Sequence, residues 1–275
     1  MTKKRATRVG LSHRYHSQLY QSVDIYQSDS PILSSYYWRR VTETIDMVYS
    51  CLDSPERAQV LDLGCGSGLA LPTIQRYFGR ILAADVFTEQ AAEVIKFERL
   101  PRVDLLAADG ALLPLNARTF DVVFLLDVLE HVEGDKERIL LECSRVLKKG
   151  GVIACSFPVE VGPAVVLRQL GRRVFGLEGN WQDPPKVVGH VFRLATTKAT
   201  EGGRTGPNLD SDAHRGYDFK VDLASVSKYF EILDSRYIPF RHLSFLSPTF
   251  VCVGRKVEEQ RNGLDMPRGV GLNYG

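Results

Sequence analysis

Cysteine is scarce in this chain: Cys51, Cys65, Cys143, Cys155 and Cys252 form an odd, dispersed set with no C-x-x-C pair. That spacing excludes a disulfide scaffold and a thioredoxin-like redox motif, and reads as reduced thiols in a cytoplasmic protein. No apolar stretch reaches the ~18 residues of a membrane span. The basic start has no apolar segment behind it of the kind a secretory signal requires, so the expectation is a protein neither secreted nor membrane-spanning. An excess of one charge is lacking too. The 35 Lys and Arg stand against 33 Asp and Glu, a balance that argues against a broad nucleic-acid-binding surface. Charge is local instead: Lys3, Lys4, Arg5, Arg8 and Arg14 all precede the first acid, Asp24. Such a terminal run is expected to stay solvated and disordered, with a basic arm for an anionic partner as the other reading.

What the sequence does have is a full complement of apolar residues, 44% of 275, enough for one large decorated domain. From residue 60 short apolar runs alternate with amphipathic stretches: "VLDLG" (60–64), "ILAAD" (81–85), "VDLLAAD" (103–109), "DVVFLLD" (121–127) and "GVIACSF" (151–157). Runs this short and apolar on both faces fit strands of a parallel sheet covered by helices. Near the end, "EILDSRYIPF" and "TFVCVGRKV" follow one another with no helix between, which predicts an antiparallel pair. The expected fold is α/β: a doubly wound, mostly parallel seven-stranded sheet with an antiparallel C-terminal strand pair and helices on both faces.

Three further segments are expected. Residues 1–57 make an N-terminal arm and helical cap, with Tyr37, Val41, Ile45, Val48 and Leu52 at helical spacing. Its aromatics, Tyr20, Tyr26, Tyr36, Tyr37 and Trp38, either pack on the sheet edge or help to cap the site. Within a domain spanning 58–257, residues 158–220 read as an inserted lid and polar loop, and 258–275 as a flexible tail. In "DKERILLECSRVLKKGG" the apolar residues Ile139, Leu140, Cys143, Val146 and Leu147 line one face and Lys136, Arg138, Glu142 and Arg145 the other. Lys148 and Lys149 suit the helix end, with Gly150 and Gly151 as a stop. A later helix is expected to open at Asp222.

The chemistry concentrates at strand ends. "VLDLGCGSGLA" is a strand running into a glycine-rich turn that opens a helix, where the backbone can approach a ligand closely and helix N–H groups point at it. Leu69 stands where the dinucleotide fingerprint needs Gly or Ala. Asp62, in the strand itself, would repel phosphate and suits a positive amino group. These two residues disfavour a nicotinamide-dependent reductase. Asp85 ends the second strand, where a carboxylate can accept from both ribose hydroxyls of a nucleoside. Asp109 ends the third, placed to meet an adenine amino group. An adenosine with a cationic amino-acid tail satisfies all three carboxylates, and S-adenosylmethionine is that molecule.

With "LDLGCGSG", "AADVF", "AADGALLPL", "FDVVFLLDVLEHV" and "LKKGGVIACSFP" in order over residues 58–157, the chain resembles the class I S-adenosylmethionine-dependent methyltransferases. Gly110 and Lys149 depart from the usual pattern, where Ala and Pro are common. The resemblance implies a cofactor set of Asp62, Gly64, Cys65, Gly66, Gly68, Asp85, Val86, Asp109, Gly110 and Asp127, with S-adenosyl-L-methionine as the cofactor.

Residues 127–131, "DVLEH", allow three readings. Asp127 and Glu130 have the D-x-x-E spacing of a capping box. His131 or Asp127 is placed to act as a general base. Asp127, Glu130 and His131, at i, i+3 and i+4 on one helix face, could hold a divalent cation with His190, as E-x-x-E-H clusters do in some methyltransferases of the resembled family. The expectation is a site without metal and with His131 and Asp127 as its catalytic candidates. His13, His16, His214 and His242 have no partner spacing. Tyr36, Trp38, Val165, Leu170, Phe175 and Trp181 favour a small-molecule or lipid-like acceptor with an apolar part. Two alternatives remain: RNA methylation, helped by the N-terminal basic run and Arg168, Arg172 and Arg173, and a non-catalytic methyltransferase-like partner.

Overall fold

The computed structural model describes residues 5–11, 31–132, 134, 136–159, 217–240, 247 and 249–257, leaving aside the side chains at 31–33, 36 and 37. Of the lid and loop region expected at 158–220, residues 160–216 lie outside these residues, as do the tail from 258, His13, His16, His190, His214 and His242, and the arginine group at 168–173; Pro158 belongs to a strand and Phe219 and Lys220 to a helix.

Seven strands form one sheet: β1 (Gln59–Leu63), β2 (Arg80–Asp85), β3 (Val103–Ala107), β4 (Phe120–Leu126), β5 (Leu147–Pro158), β6 (Phe230–Ile238) and β7 (Thr249–Lys256), in the spatial order β3-β2-β1-β4-β5-β7-β6. The first five pair in parallel. The last two pair antiparallel, β7 lying between β5 and β6. Strand order reverses between β1 and β4, so the crevice for a ligand opens beyond their C-terminal ends.

Period-two alternation feeds two cores, one on each face. Val60, Val122, Phe124, Val152 and Val253 face one way, against Trp38, Val41, Ile45 and Val48 of helix α1 (Pro31–Tyr49) and Leu71 and Ile74 of helix α2 (Leu71–Tyr77). Leu61, Val123, Leu125, Ile153 and Cys155 face the other way, against Ile139, Leu140, Cys143 and Val146 of a helix at Lys136–Val146 and Phe219 and Val226 of one at Phe219–Tyr229. A further helix, α3 (Glu89–Phe97), lies between β2 and β3 in sequence, so the later two are α4 and α5.

Four details correct the sequence reading. Residues 5–11 are tied down rather than loose: the N–H groups of Ala6, Thr7 and Val9 donate to Asp46 (2.6 Å), the Tyr77 hydroxyl (2.7 Å) and Thr73 Oγ1 (3.1 Å), and Arg8 reaches Ser34 (2.7 Å). Side chains of α1 and α2 thus supply the pairing that a terminal run seldom finds alone. Second, Lys148 to Gly151 do not end a helix; they lie in β5, which starts at Leu147 directly after α4 and meets β4 through a register shift between Phe120 and Val122. Lys148 bonds Asp121 at 2.8 Å. Third, Asp218, not Asp222, caps α5, accepting from the Lys220 N–H at 3.1 Å. Fourth, Glu142 and Arg145 do not simply face solvent: Glu142 accepts from the Leu113 N–H (2.8 Å) while Arg145 donates to the carbonyls of Leu113 (3.0 Å) and Leu115 (2.7 Å), pinning the loop that follows β3.

Candidate active site

The glycine turn after β1 needs its glycines for different reasons. Gly64, Gly66 and Gly68 all have positive φ, at 76°, 54° and 75°, a region L side chains seldom adopt. A Cβ at Gly64 would stand 2.5 Å from a methyl of Val128, and one at Gly68 3.0 Å from the Ala91 backbone. Those two glycines let the turn pack against the segment after β4 and against α3. A Cβ at Gly66 would meet nothing within 4 Å; its face of the turn is open. The turn is anchored by the N–H groups of Gly64 (2.7 Å) and Cys65 (3.2 Å), both donating to the Ala84 carbonyl.

Asp85 closes β2 beside that turn and is only 4% exposed. Its carboxylate accepts from the Gly66 N–H at 2.8 Å and the Phe87 N–H at 3.0 Å. Asp62 lies one strand away, also 4% exposed, on the α1 side of β1 by alternation with Val60. Burial, and then the charge of Asp85, push its carboxyl up to about 7. A cation at this point would relieve both effects. Val86 is exposed next to Asp85. Asp109 is exposed just beyond β3, where its side chain accepts from the Ala111 N–H at 2.8 Å. Gly110 is packed loosely, its nearest neighbour to an added Cβ being Leu63 at 3.5 Å. Leu69 is buried, so the third position of a dinucleotide fingerprint is filled by bulk.

The "DVLEH" segment is neither a capping box nor one face of an α-helix. Leu129–His131 is a single 3-10 turn whose N-cap is Val128, with no side-chain cap bond. Asp127 sits at φ 53° and its carboxylate is taken by other partners: Ser156 of β5 donates to Oδ1 at 2.5 Å, and Arg40 of α1 forms an ion pair with Oδ2. Asp127 therefore ties α1 to the strand ends, and i, i+3, i+4 spacing loses its meaning once the turn is not α-helical. Among the described residues, no group of three or more His, Cys, Asp or Glu side chains is arranged to hold a metal ion. His131 is half-buried, its N–H donating to the Val128 carbonyl at 3.0 Å.

Glu130 is the unusual member. It is 5% exposed, and neither carboxylate oxygen has a hydrogen-bond partner. Burial pushes its carboxyl up to about 8; nearby Asp222 pushes the same way, while its own backbone N–H, Arg40 and Lys136 oppose the shift. Beside it stands a buried polar group that spacing alone could not reveal. Tyr217 (2.5 Å) and Lys136 (2.8 Å) both donate to Asp222 Oδ2, and burial raises the Tyr217 hydroxyl far above its usual range. Lys136 and Asp222 come from α4 and α5, elements distant in sequence, and only the fold brings them together.

Comparison with known proteins agrees with this architecture. Residues 61–155 match the methyltransferase domain family. A probable S-adenosylmethionine-dependent methyltransferase of Mycobacterium tuberculosis is 34% identical over 127 residues, which is 46% of this chain and 44% of that protein. A ubiquinone biosynthesis O-methyltransferase of Mesorhizobium japonicum is 29% identical over 157 residues, 56% of this chain and 60% of that one. The chain thus spans about half the length of the curated relatives it matches. Among solved structures, a putative sarcosine dimethylglycine methyltransferase from Galdieria sulphuraria aligns with a TM-score of 0.57 at 15% identity, covering 87% of this chain and 96% of that one. The N-methyltransferase NodS from Bradyrhizobium japonicum, in complex with S-adenosyl-L-homocysteine, aligns at 0.54 and 13%, covering 87% and 99%; at such identities the likeness is one of fold. Residues 61–155 thus match a methyltransferase domain, and the seven-stranded sheet shares the fold of solved methyltransferases. Among the described residues, no helix is long and apolar enough to cross a membrane.

Proposed function

We propose that this protein binds S-adenosyl-L-methionine in the glycine turn and transfers its methyl group to a small-molecule or lipid-like acceptor. One observation carries the reading: Gly66 has positive φ and open space above it, and its N–H is held by the buried carboxylate of Asp85. The residues present fit an adenosyl ligand with a cationic tail. Gly64, Cys65, Gly66 and Gly68 would form the wall along the tail, and Asp62 would lie near its amino group. Asp85, at the end of β2, would meet the ribose hydroxyls, with Val86 exposed to pack on the base. Asp109 and Gly110 would border the adenine edge, and Asp127 would hold the far wall through Arg40 and Ser156. When bound, the cofactor supplies an electrophilic methyl on a sulfonium. This chain's residues orient it and exclude water, which is much of what an in-line displacement requires.

A nicotinamide reductase is disfavoured by buried Leu69 and by Asp62, which would stand against a pyrophosphate. The name of the ubiquinone-pathway relative agrees with an acceptor that has an apolar part, as does exposed Leu112 beside the Asp109 loop. The test is transfer of tritium from methyl-labelled S-adenosylmethionine into fractionated cell extract. Label in a lipid or small-metabolite fraction supports the proposal. Label confined to RNA or protein would replace the acceptor class, and no label in any fraction would remove the activity.

A further inference from the structure

The unpartnered carboxyl of Glu130 has a place in the site that neither cofactor binding nor packing accounts for. Buried polar groups in folded proteins nearly always find a hydrogen-bond partner, and an orphan calls for an explanation. Glu130 lies on the turn Leu129–His131 beyond β4, with both oxygens buried and unpaired. Two residues earlier, Val128 is the side chain against which Gly64 packs, so this turn forms a wall of the cofactor cradle. Among the described residues, charged groups reach Glu130 from three helices, Arg40 from α1, Lys136 from α4 and Asp222 from α5, with Tyr217 just before α5 and His131 on the turn itself. The hydrogen bonds these donors make go elsewhere. Lys136 and Tyr217 each donate to Asp222, Lys136 also lies 5.2 Å from the Tyr217 ring centroid, and Arg40 pairs with Asp127 through its terminal nitrogen while its buried Nε, like the Glu130 oxygens, makes no hydrogen bond. Glu130 is thus a dry carboxyl that none of these donors meets. A ligand that brings its own N–H or O–H completes the arrangement.

Resting on the methyltransferase reading above, we propose that Glu130 is the catalytic proton acceptor, and that the methyl acceptor is a small molecule presenting an ionisable O–H of the phenol class. The acceptor's lone pair forms the new bond to the methyl carbon and the methyl–sulfur bond breaks with its electron pair returning to sulfur. The acceptor's proton passes to a Glu130 oxygen. One positive and one negative charge enter the step and none leaves it, so the products are a neutral thioether, a neutral methylated acceptor and a protonated Glu130. Charge annihilation of this kind is favoured in a dry site. Asp127 does not compete for this role because Arg40 and Ser156 hold it.

The experiment uses the full chain, tritiated methyl donor and deproteinised cell extract, comparing wild type with Glu130→Gln from pH 6 to 9.5. S-adenosylhomocysteine binding is followed in parallel by calorimetry. The expected result is a loss of label transfer by roughly a hundredfold in E130Q with homocysteine-product affinity unchanged. Wild-type transfer should rise about tenfold per pH unit until about pH 8, where Glu130 titrates, and then level off. An E130Q rate close to wild type overturns the proposal and leaves the methyltransferase reading standing. So does a flat wild-type profile, or a rising limb that survives in E130Q and vanishes in His131→Ala. The wild-type profile decides the matter even if E130Q does not fold. A wild type that binds the product yet labels no fraction overturns both readings together.

Discussion

Two acids at the strand ends, Asp62 and Glu130, are held in the fold with carboxyls pushed up to about 7 and about 8 from ordinary values of 3.8 and 4.5. For a carboxyl raised in the folded state, the neutral form is the one the fold accommodates. The associated stability is fully present below the unfolded value and is lost as pH rises through the folded one. The unliganded protein should therefore lose stability between about pH 4 and pH 8, on the order of a few kcal/mol. Glu130→Gln should shrink that decline and be more stable than wild type at pH 8.5, with little difference at pH 5, measured as urea midpoints at each pH. An E130Q protein less stable at pH 8.5 would show that the carboxylate has a partner after all. The glycines separate in the same way. Gly64→Ala forces a Cβ against Val128 at a positive φ and should cost about 1–3 kcal/mol of folding stability. Gly66→Ala meets no neighbour and should keep most of its stability while weakening cofactor binding at least roughly tenfold. These roles were partly legible in the sequence. Glycines before a helix and acids at strand ends are local signals, so Asp62, Gly66 and Asp85 stand out; the isolation of Glu130 is a property of its neighbours in space.

Among the elements, the turn after β4 shows why spacing alone misleads. D-x-x-E at 127–130 matches a helix start, yet the chain makes one 3-10 turn there. The reason is long-range: Asp127 takes a left-handed backbone conformation at φ 53° and gives its carboxylate to Arg40 and Ser156, so it has none to offer the turn. Arg40 lies on α1 and Ser156 on β5, neither visible from a local window. The same holds for "LKKGG", where pairing of β5 with β4 draws Lys148 to Gly151 into a strand. The Arg40 pair is largely buried, so Asp127→Ala should destabilise the fold by about 1–3 kcal/mol. Arg40→Ala should do much the same, and a double-mutant cycle in urea should return a coupling energy above about 1 kcal/mol. Additive losses would mean that α1 is held by its apolar face alone.

On the scale of the molecule, the order β3-β2-β1-β4-β5-β7-β6 puts β1 and β4 at the centre with their C-terminal ends side by side. This much was readable from apolar runs of strand length, because strands buried on both faces leave a continuous hydrophobic signal. Amide exchange should be slowest in β1, β4 and β5 and faster in the edge strands β3 and β6, as hydrogen–deuterium exchange mass spectrometry would report. Harder to read were features that depend on packing between distant segments: the tethering of residues 5–11 through Asp46, Thr73 and Tyr77, and the Lys136–Asp222–Tyr217 group. The switch point between β1 and β4 is where the proposed chemistry converges, with the glycine cradle on one side and the Glu130 turn on the other. The measurement that tests this most directly is calorimetric titration of wild type and Gly66→Ala with S-adenosylmethionine, with reduced nicotinamide dinucleotide as the control ligand. One site per chain for S-adenosylmethionine is predicted, weakened at least roughly tenfold by the added methyl, with no binding of the dinucleotide. No heat with S-adenosylmethionine, or equal affinity in the two proteins, would contradict the account.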